Sequence, residues 1–463
     1  MNPFLQSLQT KNALTANGAV THSTSLNKCL DFFFVAGSAR TMDTASRVSA
    51  FIAAFAENQE LALKILFWSR DLRGGAGQRC LFQDVARFMN QNYSEIWDQL
   101  IIHIEEYGYW KDIFVTETPN DNNLNWLSIQ LEEAATKNLL AKWFPRKGPW
   151  FVAMHKYLKM TPKEFRKKLV SMTNVVETAM CSNKWSSINY SQVPSVAMKN
   201  YTKTFNKHDE SRFQAFIQDV KEGNVKVNAG ALYPHDLVTK LDSCEANEIG
   251  AYTNQWNALP NYMEGSTERI LPICDVSGSM TGLPMEVSVA LGLYISERNE
   301  GPFKDAFITF DTTPKLQYLQ GSVYERMVQL RRADWGGSTD LQATFRLVLD
   351  SAVRDSIPVD QMPTKLLIIS DMEFNSACDD TNLEAIQLQY QAAGYPMPEL
   401  IFWNVNARLG NVPAQASEPG IGLVSGFSPS ILKSVLQGKV YTPTQLMLDT
   451  VMTERYARIR VDI

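Results

Sequence analysis

The sequence predicts a chain of two unlike parts: an all-α helical-repeat solenoid over residues 1–264, and a Rossmann-like α/β domain over residues 265–463. Three observations carry this division. The chain of 463 residues is too long for one core. Up to about residue 264, apolar residues recur at three- and four-residue spacing, and beyond it short apolar runs alternate with helical stretches. The first of those runs passes directly into the loop Asp275, Val276, Ser277, Gly278, Ser279.

In the first half, residues 45–55, 59–68, 81–89, 96–104 and 124–140 each carry the periodicity of an amphipathic helix. Thr161 followed by Pro162 predicts an N-cap and first turn of a helix running to about Leu169. Residues 213–220 continue the pattern, with Gly223 as the stop. No exact internal repeat is present, but paired helices of this length suit a solenoid of degenerate repeats. In the second half, residues 270–274, 305–310, 365–370, 399–403 and 421–424 are predicted strands. Residues 284–296, 341–353, 383–393 and 429–436 are predicted helices. Near-continuous apolar strands separated by helices imply a mostly parallel sheet covered on both faces. The linker at 261–266 is the boundary.

Composition excludes several classes. The longest apolar runs, such as 32–36 and 366–369, fall far short of the roughly 20 residues that span a bilayer, so no membrane partner is expected. No basic stretch leads into an apolar segment at the N-terminus, as a secretory signal would require. The six cysteines are scattered with no C-x-x-C pair, which argues against a zinc site or disulfide scaffold and for a reducing, cytoplasmic location. The net charge of −5 conceals an asymmetry. Residues 137–226 hold 17 Lys and Arg against 6 Asp and Glu, whereas residues 265–463 hold 16 against 23.

The loop at 275–279 follows the first strand of an open sheet, where ligands sit beyond the carboxyl ends of strands. Two other segments are expected at the same edge: Gly336, Gly337, Ser338, Thr339, with Thr339 opening a helix, and Asp371 at the end of the strand 366–369. Together they offer hydroxyls and carboxylates, hard oxygen donors suited to Mg²⁺ or Mn²⁺. As a ligand at the sheet edge, Asp275 is expected to be removable without loss of the fold. The pattern Asp-x-Ser-x-Ser, then Gly-Gly with a following Thr, then a strand-terminal Asp, resembles the metal-ion-dependent adhesion site of von Willebrand A domains. The resemblance implies that Ser277, Ser279 and Thr339 bind the metal directly and that Asp275 and Asp371 act directly or through water. It also implies a position left open for a carboxylate from a protein partner. Ser338 is an extra residue relative to that pattern, leaving Ser338 and Thr339 as alternatives for the third hydroxyl.

Catalysis at this loop finds little support. An aspartyl phosphotransferase would need a second carboxylate where Ser277 stands, and a serine hydrolase would need the G-x-S-x-G elbow.

The first half carries a second likeness. Residues 67–79 (Phe-Trp-Ser-Arg-Asp-Leu-Arg-Gly-Gly-Ala-Gly-Gln-Arg), 107–112 (Tyr-Gly-Tyr-Trp-Lys-Asp), 142–146 (Lys-Trp-Phe-Pro-Arg) and 233–236 (Tyr-Pro-His-Asp) resemble the Ro-type ribonucleoproteins, which join a TROVE domain to a von Willebrand A domain, and more closely their uncharacterised microbial and viral relatives. The likeness covers nearly the whole chain. It implies a HEAT-like ring that binds small structured or misfolded RNA. The residues give an independent indication: Lys142, Arg146, Lys147, Lys156, Lys159, Lys163, Arg166, Lys167 and Lys168 form a cationic stretch suited to phosphate contact. Trp143, Phe144, Trp150, Phe151, Tyr157 and Phe165 are interleaved as candidate stacking platforms. The glycine-rich stretch 74–77 lacks a P-loop pattern and reads as an inter-helix turn in which Asp71 pairs with an arginine. His235 reads as a satisfied polar group near the junction.

The expectation is therefore a non-enzymatic, cytoplasmic RNA-binding protein with a Mg²⁺-dependent partner site in its second half. The rivals are a metal-dependent protein-interaction scaffold without RNA binding and, more remotely, a Mg²⁺-dependent phosphohydrolase.

Overall fold

The computed structural model describes residues 13–116, 119–133, 137–309, 313–331, 339–376, 381–436 and 442–460. The first half is helical, and its helices start where the sequence supplies caps. Asn27, Asp43 and Asn58 each accept a backbone N–H as N-caps of the helices Lys28–Ala36, Thr44–Glu57 and Gln59–Arg70. Thr161 and Glu164 form a capping box for Pro162–Met172. The periodic stretch 124–140 is divided between two helices, Asp121–Glu132 and Lys137–Trp143. The stretch before Gly223 belongs to a longer helix, Ser195–Lys221, kinked at Asp209.

The second half is a six-stranded mixed sheet. After a short N-terminal hairpin, β1 (Ala13–Leu14) and β2 (Val20–Thr21), the strands are β3 (Ile270–Cys274), β4 (Ala306–Thr309), β5 (Lys315–Tyr318), β6 (Lys365–Ser370), β7 (Glu399–Asn404) and β8 (Ile421–Ser425). Their order is β5-β4-β3-β6-β7-β8, with β5 antiparallel to β4 and the other pairs parallel. Strands β3, β6 and β8 are buried along their whole length, as continuous apolar runs require. The edge strand β5, Lys-Leu-Gln-Tyr, escapes prediction because it is short and largely exposed. Residue 310 of the predicted second strand lies outside the described residues.

The boundary near residue 264 separates two kinds of element, but packing crosses it. Helix Lys28–Ala36 buries seven of its nine residues and leaves only Lys28 exposed and Asp31 partly exposed, both in its first turn. Helices Thr44–Glu57 and Gln59–Arg70 cover one flank and β8 the other. Ser425 Oγ donates to Phe33 O at 2.8 Å and accepts from Gly37 N at 2.9 Å. A Cβ on Gly37 would meet Ser425 O at 2.1 Å, so this close approach requires glycine. The hairpin segment reaches further still. His22 and Val412 exchange backbone hydrogen bonds at 2.9 and 3.1 Å, and Thr15 Oγ1 donates to Phe374 O at 2.6 Å.

The glycine-rich turn is part of this seam. Asp71, fully buried, is held by the guanidinium of Arg455 and by the Tyr456 hydroxyl at 2.9 Å, both from the C-terminal segment. Its neighbour Arg70 is paired instead with Asp112, at 2.6 Å. His235 lies at the same seam between Tyr233 and Phe427, with ring centroids 5.7 and 5.6 Å away. The expectation that His235 is a satisfied polar group is corrected in part, since its Nδ1 has no hydrogen-bond partner among the described residues. Burial holds its pKa down at about 4. The unfolded chain takes up this proton near 6.5 and the folded chain only near 4, so the neutral ring's contribution is complete above about 6.5 and is lost as pH falls through that window. It amounts to about 3 kcal/mol. His235→Phe is expected to flatten the acid limb of a Tm-against-pH curve between those values; an unchanged limb would contradict this role.

Candidate metal site and basic surface

The strand order reverses at β3 and β6, with β4 and β5 to one side and β7 and β8 to the other, which makes their carboxyl ends the switch-point crevice of the sheet. Asp275 leaves β3 with its N–H on Ile369 O at 2.9 Å. Its Oδ1 accepts from Ser277 N at 2.9 Å and its Oδ2 from Ser370 Oγ at 2.5 Å. Ser277 Oγ and Ser279 Oγ stand 3.1 Å apart. At the end of β6, Asp371 Oδ1 accepts from Glu373 N at 3.2 Å, while Oδ2 is buried and has no hydrogen-bond partner among the described residues. Asp275 and Ser277 form the floor and Ser279 is exposed, so the crevice opens outward at Ser279.

Burial is the main influence on both carboxyls. Burial pushes Asp275 up to about 6 and the charge of Asp371 adds to this, against the Ser370 and Ser277 hydrogen bonds. Burial also raises Asp371, with Glu373 adding and the Glu373 N–H, the Ser279 hydroxyl and Arg408 opposing. Among the described residues no three His, Cys, Asp or Glu side chains converge as a metal-ligand group, so carboxylates alone do not make a site. An orphaned carboxylate oxygen beside two hydroxyls nonetheless fits a hard divalent cation.

Of the five positions singled out in the sequence, Asp275, Ser277, Ser279 and Asp371 are thus gathered at one edge. Thr339 is buried, and its carbonyl accepts from Asn375 N at 3.1 Å, on the segment that follows Asp371. Asp340, not Thr339, caps the helix Leu341–Arg354. Ser338 lies outside the described residues. The expectation that Asp275 is a dispensable edge ligand is corrected: it is fully buried, and removing it would strand the Ser370 hydroxyl. Asp371→Asn, which keeps the shape, is the cleaner probe. It is expected to abolish Mn²⁺ binding in a titration followed by electron paramagnetic resonance. Wild-type affinity is expected to fall as pH drops through about 6, because the ion displaces protons from raised carboxyls. Equal Mn²⁺ affinity in variant and wild type would remove the site. Ser370, Glu373 and Arg408 were not singled out from the sequence. Only Ser370 had a signal there, its place immediately before Asp371.

The cationic stretch occupies Lys137–Trp143, Pro149–Tyr157 and Pro162–Met172 and the turns between them. Lys147, Lys156, Lys159, Lys163, Arg166 and Lys167 are exposed. The other three are partly engaged: Lys142 pairs with Glu177 at 2.8 Å, Lys168 with Glu132 at 2.6 Å, and Arg146 donates to Phe144 O and Ala141 O at 2.7 and 2.9 Å. Among the described residues, ion pairs from 137–226 end on acids of the first half, none on the acidic second half. Four of the six interleaved aromatics are corrected from platforms to core. Phe144, Trp150, Phe151 and Phe165 are buried between the helices, with Trp150 Nε1 bonded to Thr116 O at 2.6 Å. Trp143 and Tyr157 remain exposed, and Lys142 Nζ and Lys111 Nζ lie 5.3 and 5.6 Å from the Trp143 ring.

Fold and site together define a helical domain packed onto an open α/β sheet that carries a hydroxyl–carboxylate cluster at its switch point. The chain belongs to the family described as Domain of unknown function (DUF2828), which matches residues 15–116 and 133–267. Residues 269–458 match a Domain of unknown function (DUF7788). An uncharacterised protein of Acanthamoeba polyphaga mimivirus is 29% identical over 499 residues, covering 94% of this chain and 86% of that protein. Among solved structures, the Ro (RSR) protein of Deinococcus radiodurans aligns with a TM-score of 0.39 at 12% identity, over 93% of this chain and 100% of that one. Among the described residues no helix is long and apolar enough to cross a membrane.

Proposed function

We propose that this chain is a non-enzymatic, cytoplasmic RNA-binding protein of the Ro type. Its HEAT-like helical half takes structured or misfolded small RNA on the basic face. Its second half acts as a von Willebrand A domain with a Mg²⁺-dependent (or Mn²⁺-dependent) partner site. The observation that carries the RNA reading is the exposed cationic surface of residues 147–167, which among the described residues makes no ion pair with the acidic second half. Such a surface attracts phosphate. In the second half, Ser277, Ser279 and Thr339 would hold the ion directly, with Asp275 and Asp371 direct or through water. The bound ion would supply a coordination position for a carboxylate of a protein partner.

The test is filter binding of an oligouridylate and of a small hairpin RNA near physiological salt. Trp143→Ala is expected to weaken the single strand by roughly 1–3 kcal/mol, the value of one stacked base, and the hairpin less. RNA affinity no better than weak, sequence-blind background would leave the protein-interaction scaffold as the better reading.

A further inference from the structure

One cation already stands at the switch-point crevice. Arg408 Nη1 lies 3.2 Å from Glu373 Oε1, and Nη2 lies 3.9 Å from Asp371 Oδ2, the buried oxygen without a hydrogen-bond partner. The two carboxylates are fixed and the guanidinium is not. Glu373, 3% exposed, is held by the Ala16 N–H and by Asn411 Nδ2 at 3.3 Å, and Asp371 by the Glu373 N–H. The Arg408 side chain is 44% exposed, and among the described residues both its ion pairs are to these carboxylates. At 3.9 Å the guanidinium offsets the charge of Asp371 without donating a hydrogen bond to it. An ion pair this exposed is weak and its long arm is easily released. A divalent ion at Asp371 would meet this positive charge at close range, so the two cations exclude each other.

We propose that Arg408 is a tethered competitor of the divalent cation. It screens Asp371 in the metal-free protein and turns into solvent when the ion enters. This rests on the metal-site reading above. It makes metal uptake conditional: any anion that draws Arg408 away from Glu373 and Asp371 raises the affinity for the ion, and the ion in turn frees Arg408 for an anion.

The experiment is a Mn²⁺ titration of the full chain, followed by electron paramagnetic resonance and calorimetry, in wild type, Arg408→Gln, Arg408→Lys and Asp371→Asn. Arg408→Gln is expected to bind about tenfold tighter than wild type, the effect of removing one partly screened like charge. Arg408→Lys, which keeps the charge, is expected to stay near wild type, and added salt to narrow the gap between Gln and wild type. Equal or weaker binding by Arg408→Gln would overturn the competitor while leaving the site standing. Absence of Mn²⁺ binding in wild type and Arg408→Gln alike would overturn the metal site itself, and the competitor with it.

Discussion

Reversal of four exposed lysines, Lys147, Lys156, Lys163 and Lys167, to glutamate is expected to flatten the salt dependence of RNA binding by about three units of log–log slope. Each phosphate contact contributes about 0.7 to 0.9 to that slope. Near physiological salt this corresponds to a loss of affinity of about a hundredfold or more, spread evenly over unrelated RNA sequences. These four are chosen because among the described residues they make no ion pair; Lys167 only adds a long-range attraction to the exposed Glu164. Lys168 and Lys142 are unsuitable, since reversing either would set it against the glutamate it now holds. Arg166 is unsuitable too, because its guanidinium lies 4.7 Å from the Phe151 ring and donates to Arg146 O. Filter binding across a salt series measures the slope directly. A slope equal to that of wild type would place any RNA contact elsewhere.

Asp112→Ala is expected to destabilise the fold by about 3–5 kcal/mol, the cost of leaving a buried charge without its partner. Arg70 and Asp112 are each 1% exposed. Asp112 Oδ2 accepts from Arg70 Nε at 2.9 Å and Nη2 at 2.6 Å, and from Tyr109 N at 2.9 Å, while Oδ1 accepts from Gln83 Nε2 at 2.9 Å. Losing the carboxylate would strand all four donors together with the full charge of Arg70, whose Nη1 already has no partner among the described residues. Replacing both partners, Arg70→Met with Asp112→Leu, is expected to recover the part of the loss that comes from the unpaired Arg70 charge, while Tyr109 N and Gln83 Nε2 stay without their acceptor. Urea unfolding of the single and double variants measures both effects. A single variant costing less than about 1 kcal/mol would show that the pair is not the anchor described.

Much of this architecture was legible in the sequence because it is local. Helix periodicity, caps such as Thr161 with Glu164, and the apolar runs of β3, β6 and β8 are set by neighbouring residues. The Asp275–Ser279 loop declared its chemistry for the same reason: its donors are consecutive and follow a strand. Contacts between distant residues were not legible. The periodicity of 124–140 runs through a break between helices because spacing reports a face and not chain continuity. Phe144, Trp150, Phe151 and Phe165 could not be told from stacking platforms, since an interleaved aromatic is core or surface according to what packs against it. Nothing near Arg408 announces that it reaches Asp371 and Glu373, and nothing near Asp71 names Arg455, 384 residues away. By itself the sequence determined the two kinds of secondary structure, their order, and the oxygen donors of the loop, all properties of residues close along the chain. Only the tertiary structure decided which cations stay exposed, that Asp275 is buried rather than at the rim, and that helix Lys28–Ala36 joins the two halves, because burial and pairing depend on the partners that folding brings together.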